Sequence, residues 1–247
     1  MSQTLDRALS ILELVADEPQ RITDIAAELG VHHSTALRLL HTLRKHGFVH
    51  LETDKRYRLG AAMFRLANQA LEVIDLRDIA KPHMTELSRR TGETVHLAIL
   101  QERQIVYVEK VEALHPVRMY SRIGAMAPLH CSAVAKAILM AADDNQRKLL
   151  LDGYEYREHT PRTIASEEAL LAELVSSTPL GYTRDNEEHE PGIHCIAAPI
   201  RTADGSVVGA ASITAPTSRV TEDALLAYVP DLRGATAAIS NDLGWRA

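Results

Sequence analysis

The chain has 247 residues, a length for one or two domains. It is 46% hydrophobic and 24% charged with two cysteines, which excludes both a disulfide scaffold and an unstructured polar chain. A formal net charge of −6 excludes a uniformly basic polyanion binder, and no apolar run approaches the ~18 residues of a membrane span. The N-terminal segment MSQTLDRALSILELV carries acids inside an amphipathic pattern, so it reads as a helix and not as a secretory signal. A cytoplasmic protein with reduced cysteines is expected.

In chain order, Thr4 to Ala16 carries the apolar series Leu5, Ala8, Leu9, Leu12 and Val15, a first helix. Ile22 to Val49 then reads as two short helices joined by a tight turn. Thr23 is placed to cap the first and Asp24 to complement its dipole. Ile25, Ala26 and Leu29 form its buried face, with Ala26 small enough for a close helix crossing. Gly30 can take the left-handed conformation that ends a helix, and Val31 plugs the turn. The second helix buries Ala36, Leu39, Leu40 and Leu43 and presents Ser34, Thr35, Arg38, His41 and Arg44. Its cap is His32, His33 or Ser34. Phe48, Val49 and Leu51 read as one strand and Tyr57 and Leu59 as its partner, with Lys55 and Arg56 near the tip of the connecting turn. This is a winged helix-turn-helix, an element whose main use is to place a helix in the major groove of double-stranded DNA.

The expected DNA-facing residues are Thr23, Ser34, Thr35, Arg38, His41, Arg44, Lys55 and Arg56. Arg38 is the candidate for direct base readout, because a guanidinium can bind guanine O6 and N7 together. Lys55 and Arg56 are expected on phosphates or in the minor groove. Residues 1–60 hold eight Lys and Arg against eight acids, so the whole net charge falls in the remainder. The acids mostly precede the second helix and the cations follow from Arg38, a local and modest footprint. One copy is expected to bind weakly, which favours a symmetric homodimer or a dimer of dimers.

Residues 61–79 continue as a helical pattern through Met63, Leu66, Ala67, Ala70, Leu71 and Ile74, a linker helix. Residues 80–247 form a second domain, with Met84 to Arg90 helical up to Gly92. Val95, Leu97 and Ile99, then Ile105 and Tyr107, alternate as two strands, and Val117 to Ile123 reads as a third. Helices are expected over Ala133–Ala142 and Glu167–Ser176. Cys195 to Arg201 and Val207 to Thr214 pair around Ala203-Asp204-Gly205, and a closing helix spans Glu222 to Leu243. Hairpins interrupted by helices indicate an α+β domain with an antiparallel sheet.

Two segments stand out in this half, GAMAPLHCSAVAKAIL (Gly124–Leu139) and DNEEHEPGIHCIAAPI (Asp185–Ile200). Together with the winged domain they resemble the IclR family of bacterial transcriptional regulators, over essentially the whole chain and with the parts in the same order. One departure is Ala135 before Lys136, where the family usually has glycine. The resemblance implies a GAF-like effector-binding domain, a DNA-binding dimer or dimer of dimers, and control of operons for small-molecule catabolism. It implies no cofactor. The ligand-binding positions it implies are Met119, Ala133, Val134, Asp185, Cys195, Ser212 and Thr214. Their chemistry suits a small carboxylate effector. Helix-opening N–H groups at Ala133 and Val134 favour an anion, Ser212 and Thr214 share one strand face, and Asp185 accepts from hydroxyls. RMYSRIG (Arg118–Gly124) looks most like the branch regulating 2-keto-3-deoxygluconate and related sugar-acid catabolism, with Arg118 and Arg122 available to a small hydroxylated or keto acid. Aromatic acids are the alternative effector class.

Other constellations read less well. His130, Cys131, His189, His194 and Cys195 include metal-ligand types, but neighbours on a strand such as His194 and Cys195 point to opposite faces, and no metal is expected. Cysteine–histidine nucleophilic chemistry lacks a visible oxyanion hole and leaves the winged domain without a role, so no enzyme is expected. The rival reading is a small-molecule-binding or redox enzyme whose N-terminal domain mediates assembly.

Overall fold

The computed structural model describes residues 3–66, 75–113 and 122–246. The chain divides into two units, Met1–Ile74 and Asp75–Ala247. In the first, helix α1 (Gln3–Asp17) is followed by strand β1 (Gln20–Arg21), helices α2 (Ile22–Glu28) and α3 (His33–Lys45), and strands β2 (Val49–Leu51) and β3 (Arg56–Leu59). The strands form an antiparallel sheet in the order β1-β3-β2. Its third member, Gln20-Arg21, is too short to show an alternation. Ile11, Val15, Ile25, Leu39, Leu40, Val49 and Tyr57 close the core. The expected apolar series of α1 holds in part: Val15 is buried and Ala8 and Leu12 pack on the core, whereas Leu5 and Leu9 are 61% and 53% exposed and Ile11, outside the series, is buried.

Both helices of the helix-turn-helix end in the same way. After α2, Gly30 sits at φ +60, its N–H donates to Ala27 O at 3.1 Å, and Val31 N–H donates to Ala26 O at 3.0 Å. After α3, Gly47 sits at φ +75, and Gly47 and Phe48 N–H donate to Arg44 O and Leu43 O at 3.0 and 2.9 Å. These paired bonds satisfy carbonyls that the helix end would otherwise leave open, and the left-handed glycine turns the chain. The start of α3 is settled in favour of His32, which is extended and whose Nδ1 accepts from Ser34 N. The cap expected at Thr23 is not formed. Arg21 occupies the boundary of α2 without a side-chain cap, and Thr23, inside the first turn, donates its hydroxyl to Asp24 Oδ1 at 3.1 Å.

Residues 61–66 are helical, and 67–74 lie outside the described residues. The single helix expected over 61–79 does not persist through Asp75. That residue is extended, and its Oδ1 accepts from Arg77 N at 2.9 Å to cap a new helix, α4 (Leu76–Thr91), which contains Pro82 in its interior. Five antiparallel strands follow in the order β5-β4-β8-β7-β6: β4 (Thr94–Gln101), β5 (Gln104–Val111), β6 (Thr183–Asn186), β7 (Ile193–Arg201) and β8 (Val207–Pro216). The period-2 alternation gives the sheet two apolar faces. Val95, Leu97, Ile196, Ala198, Ala211 and Ile213 pack with Met84 and Leu87 of α4 and with Leu232 and Ile239 of α9 (Val229–Asp242). Ala98, Ala197 and Ala210 pack with α5 (Ala133–Ala141), α6 (Asp144–Leu151) and α7 (Glu167–Ser177). The result is a helix–sheet–helix sandwich.

The closing helix expected from Glu222 breaks into α8 (Glu222–Leu226) and α9, and Pro230 lies in the first turn of α9, where its missing N–H costs nothing. Helix α6 was not expected from sequence; Asp143 caps it, its Oδ1 accepting from Gln146 N at 2.8 Å. Most of the strand expected over 117–123 lies outside the described residues, and Ile123 and Gly124 form a turn.

Helix α5 is apolar except for Lys136, which is fully buried. Its Nζ donates to both Glu188 carboxylate oxygens, at 2.8 and 2.6 Å, with Glu173 at 3.9 Å. Removing one member of a buried pair strands the other charge, at a cost of about 3–5 kcal/mol. Lys136→Ala is therefore expected to lower unfolding stability in urea by about that amount, and Lys136→Met with Glu188→Leu to recover most of it.

Candidate functional site

On α3, Ser34, Arg38, His41 and Arg44 are exposed on the side away from Ala36, Leu39 and Leu40, and Thr35 is half-buried at the flank. Thr23 is exposed on α2. At the wing tip Lys55 has φ +66, and no ion pair holds it among the described residues. Arg56 Nε lies 3.2 Å from Asp54, and Arg58 Nε donates to Glu52 at 2.9 Å. Part of the wing's positive charge is thus matched within the hairpin, which leaves Lys55 as its freest cation.

In the second unit a cavity of about 480 Å³ lies between the sheet and the N-terminus of α5. The strand register assembles its floor. Cys195 pairs with both Asp185 and Thr214, and Ser212 pairs with His96. Residues far apart in sequence therefore share one face at neighbouring positions. Ala133 and Val134 supply a wall. Six of the seven expected positions, Ala133, Val134, Asp185, Cys195, Ser212 and Thr214, line this one space, and Met119 lies outside the described residues. Arg122 lines it as well. His96, Tyr107, His189 and Glu190 also line it and were not among the positions expected from sequence to bind a ligand. His96 shares its strand face with Ser212 only through the β4–β8 register, which sequence does not display.

Ser132 stands at the cap position of α5 but sends its hydroxyl to Pro128 O at 2.7 Å, so no side chain caps the helix. The first N–H groups of α5 thereby keep their capacity for an anion. Ala135 is fully buried in the core and is absent from the cavity wall, so its extra methyl acts on helix packing and not on the ligand space.

The floor is electrically quiet. Burial, helped by the Lys110 charge, holds His96 down to about 3, and its Nδ1 lies 3.2 Å from Thr214 Oγ1. Thr214 donates to Cys195 Sγ at 3.2 Å, and burial pushes that thiol well above its usual range. Asp185 is pushed up to about 7, first by burial and then by Glu188, although its Oδ1 accepts from Glu188 N at 2.8 Å.

His130, Cys131 and His159 place ligand-type atoms within 4.8 Å of one another. His130 is already engaged at both ring nitrogens, with Tyr154 Oη at 2.7 Å and Arg157 O at 2.9 Å. Burial also pushes the Cys131 thiol up to about 12, so a metal would have to displace hydrogen bonds and a tightly held proton. His194 and Cys195 do face opposite sides of β7: Cys195 lines the cavity and His194 does not.

A winged helix-turn-helix followed by a sheet domain with a cavity against one sheet face defines a DNA-binding transcriptional regulator. Residues 4–52 match the IclR helix-turn-helix domain, and residues 68–241 match the bacterial transcriptional regulator IclR C-terminal domain. The chain belongs to the IclR family of bacterial transcriptional regulators. It is 39% identical over 248 residues to the HTH-type transcriptional regulator XynR of Escherichia coli K12, covering 99% of this chain and 98% of that protein. It is also 39% identical over 241 residues to KdgR of the same organism, covering 97% and 92%. The crystal structure of a putative IclR regulator from Silicibacter sp. TM1040 superposes with a TM-score of 0.87 at 26% identity, covering 99% and 97%. The relatives are regulators and not enzymes, and the same holds for this chain.

The Asp185 carboxyl gives a pH test. Its folded value, about 7, lies above the ordinary value of about 3.9, so its contribution favours the folded state below about pH 4 and is lost as pH rises to 7. His96 runs the other way: its contribution is present above about pH 6.5 and is lost as pH falls toward about 3. Asp185→Asn isolates the first effect. The variant is expected to gain stability relative to the wild type between about pH 4 and about pH 7 in urea unfolding, and a flat or falling difference over that range would contradict the assignment.

Proposed function

We propose that this chain is a cytoplasmic, ligand-responsive repressor that binds double-stranded operator DNA as a homodimer or dimer of dimers. A small carboxylate of the sugar-acid or keto-acid class releases it. The observation that carries the effector reading is the lining of the 480 Å³ cavity. Arg122 and the uncapped N-terminus of α5 offer sites for a carboxylate, and Ser212, Thr214, Asp185, His96 and His189 offer hydrogen bonds around it. Among the described residues, Tyr107 is the single carbocyclic aromatic ring in that lining. These hydrogen-bonding groups, beside one such ring among the described residues, favour a hydroxyl-rich acid over an aromatic one. The 39% identity to KdgR supports the same branch. A dimer seated across two half-sites occludes that stretch of DNA, which makes repression the natural sign.

The mechanism is a population shift. The acid acts through its difference in affinity between a DNA-competent and a released state, and DNA weakens ligand binding by the same factor. A thermal-shift screen of 2-keto-3-deoxygluconate, other sugar acids and aromatic acids tests the effector class. The expected outcome is stabilisation by a sugar or keto acid, loss of operator binding at saturation, and loss of both responses in Arg122→Ala with DNA binding intact. Unchanged operator affinity at saturating ligand would refute the mechanism.

On the DNA side, α3 enters the major groove with Ser34, Thr35, Arg38 and His41 nearest the bases, and Arg44, Lys55 and Arg56 near phosphates. Arg38→Ala is expected to cost about 1–3 kcal/mol and to relax preference at one base pair. Lys55→Ala is expected to weaken binding evenly across sequences and to reduce the salt slope by about one per site. Polarisation titrations across salt concentrations and operator variants separate the two roles.

A further inference from the structure

Helix α3 carries one residue that its two-sided pattern does not explain. Leu37 is 48% exposed, although Ala36, Leu39 and Leu40 already complete the buried face. It stands three residues after Ser34 and four before His41, beside Arg38, and all three of those are exposed. Residues at these spacings form one stripe on a helix surface. A large aliphatic side chain therefore sits within the polar and cationic face expected to meet DNA, with Arg44 and Lys45 exposed further along the helix.

Among the described residues of the first unit, nothing covers half of this side chain, so its apolar surface is open to a partner. The surrounding cations point to a polyanion and not to an apolar protein surface. In the major groove each base pair shows a distinct set of donors and acceptors, and the apolar mark among them is the thymine C5-methyl. We propose that Leu37 is a specificity-determining residue that reads a thymine methyl in each half-site of the operator. The proposal rests on the reading that α3 enters the major groove.

The expected size of the effect follows from the group involved. Burying one methyl-sized unit is worth about 0.8 kcal/mol, which is about fourfold in affinity. Two symmetric half-sites make it about fifteenfold for a dimer.

The experiment uses the full-length protein and an operator selected by that protein from random-sequence duplex DNA. Each thymine is replaced in turn, symmetrically in both half-sites, by deoxyuridine, which removes the C5-methyl and leaves the hydrogen-bonding edge intact. One position is expected to weaken wild-type binding about fifteenfold. Leu37→Ala is expected to lose that discrimination, binding the thymine and deoxyuridine duplexes equally while keeping its preference elsewhere. Leu37→Gln is expected to move the preference at that position toward adenine, since a glutamine can bind adenine N6 and N7. The proposal is overturned if every replacement leaves the wild type unchanged, if the selected half-sites contain no thymine, or if Leu37→Ala still discriminates. Interference by guanine N7 methylation separates this failure from the broader one. Interference with silent deoxyuridine positions removes only the role of Leu37, whereas no interference removes the groove placement of α3 as well.

Discussion

The pair Lys136–Glu188 holds the effector domain's cavity in shape. A fully buried ammonium inside an otherwise apolar helix is tolerable only beside a counter-charge, and Glu188 supplies it with both carboxylate oxygens. That bond fastens the loop after β6 to α5. Thr160 and Thr163 donate their hydroxyls to the Glu187 and Glu188 carbonyls at 2.7 and 2.6 Å and hold the same loop from the other side. Asp185 accepts from the loop's own N–H groups. The wall formed by Ala133 and Val134 and the floor beginning at Asp185 are thereby fixed to each other.

Within that frame the charges are arranged by burial. The buried floor favours neutral forms: His96 is held down, and the Cys195 thiol and the Asp185 carboxyl are held up. Arg122 and the uncapped end of α5 border that floor, a guanidinium and free helix N–H groups beside groups that burial holds toward their neutral forms.

The winged unit solves a different problem. Its helices are short, and their ends are fixed by Gly30 and Gly47 through paired backbone bonds, so α3 is presented rigidly without a large core. Its charge is modest, and the wing matches part of it internally through Arg56–Asp54 and Arg58–Glu52. So modest a charge leaves little room for bulk attraction to phosphates, the part of DNA binding that carries no sequence information.

The sequence by itself determined the order of parts. Turn glycines, the small residue at Ala26, alternating strand residues and the two effector-domain segments each act over a few neighbouring positions, so local pattern reveals them. It also carried the helix-turn-helix, and it singled out Asp185, Cys195, Ser212 and Thr214 through the family resemblance. It went wrong where the deciding contact is not local. Leu5 and Leu9 fit the helical stripe that ends at the buried Val15, yet they are exposed and the core takes Ile11, which was not in the expected series. The helix expected through 61–79 yields at Asp75, whose side chain caps a new helix. Only the tertiary structure brought His96 and Tyr107 to the cavity, sent the Ser132 hydroxyl away from its helix, and paired Lys136 with a glutamate 52 positions later. Each of these is fixed by strand register or by burial, and both depend on which distant segments meet.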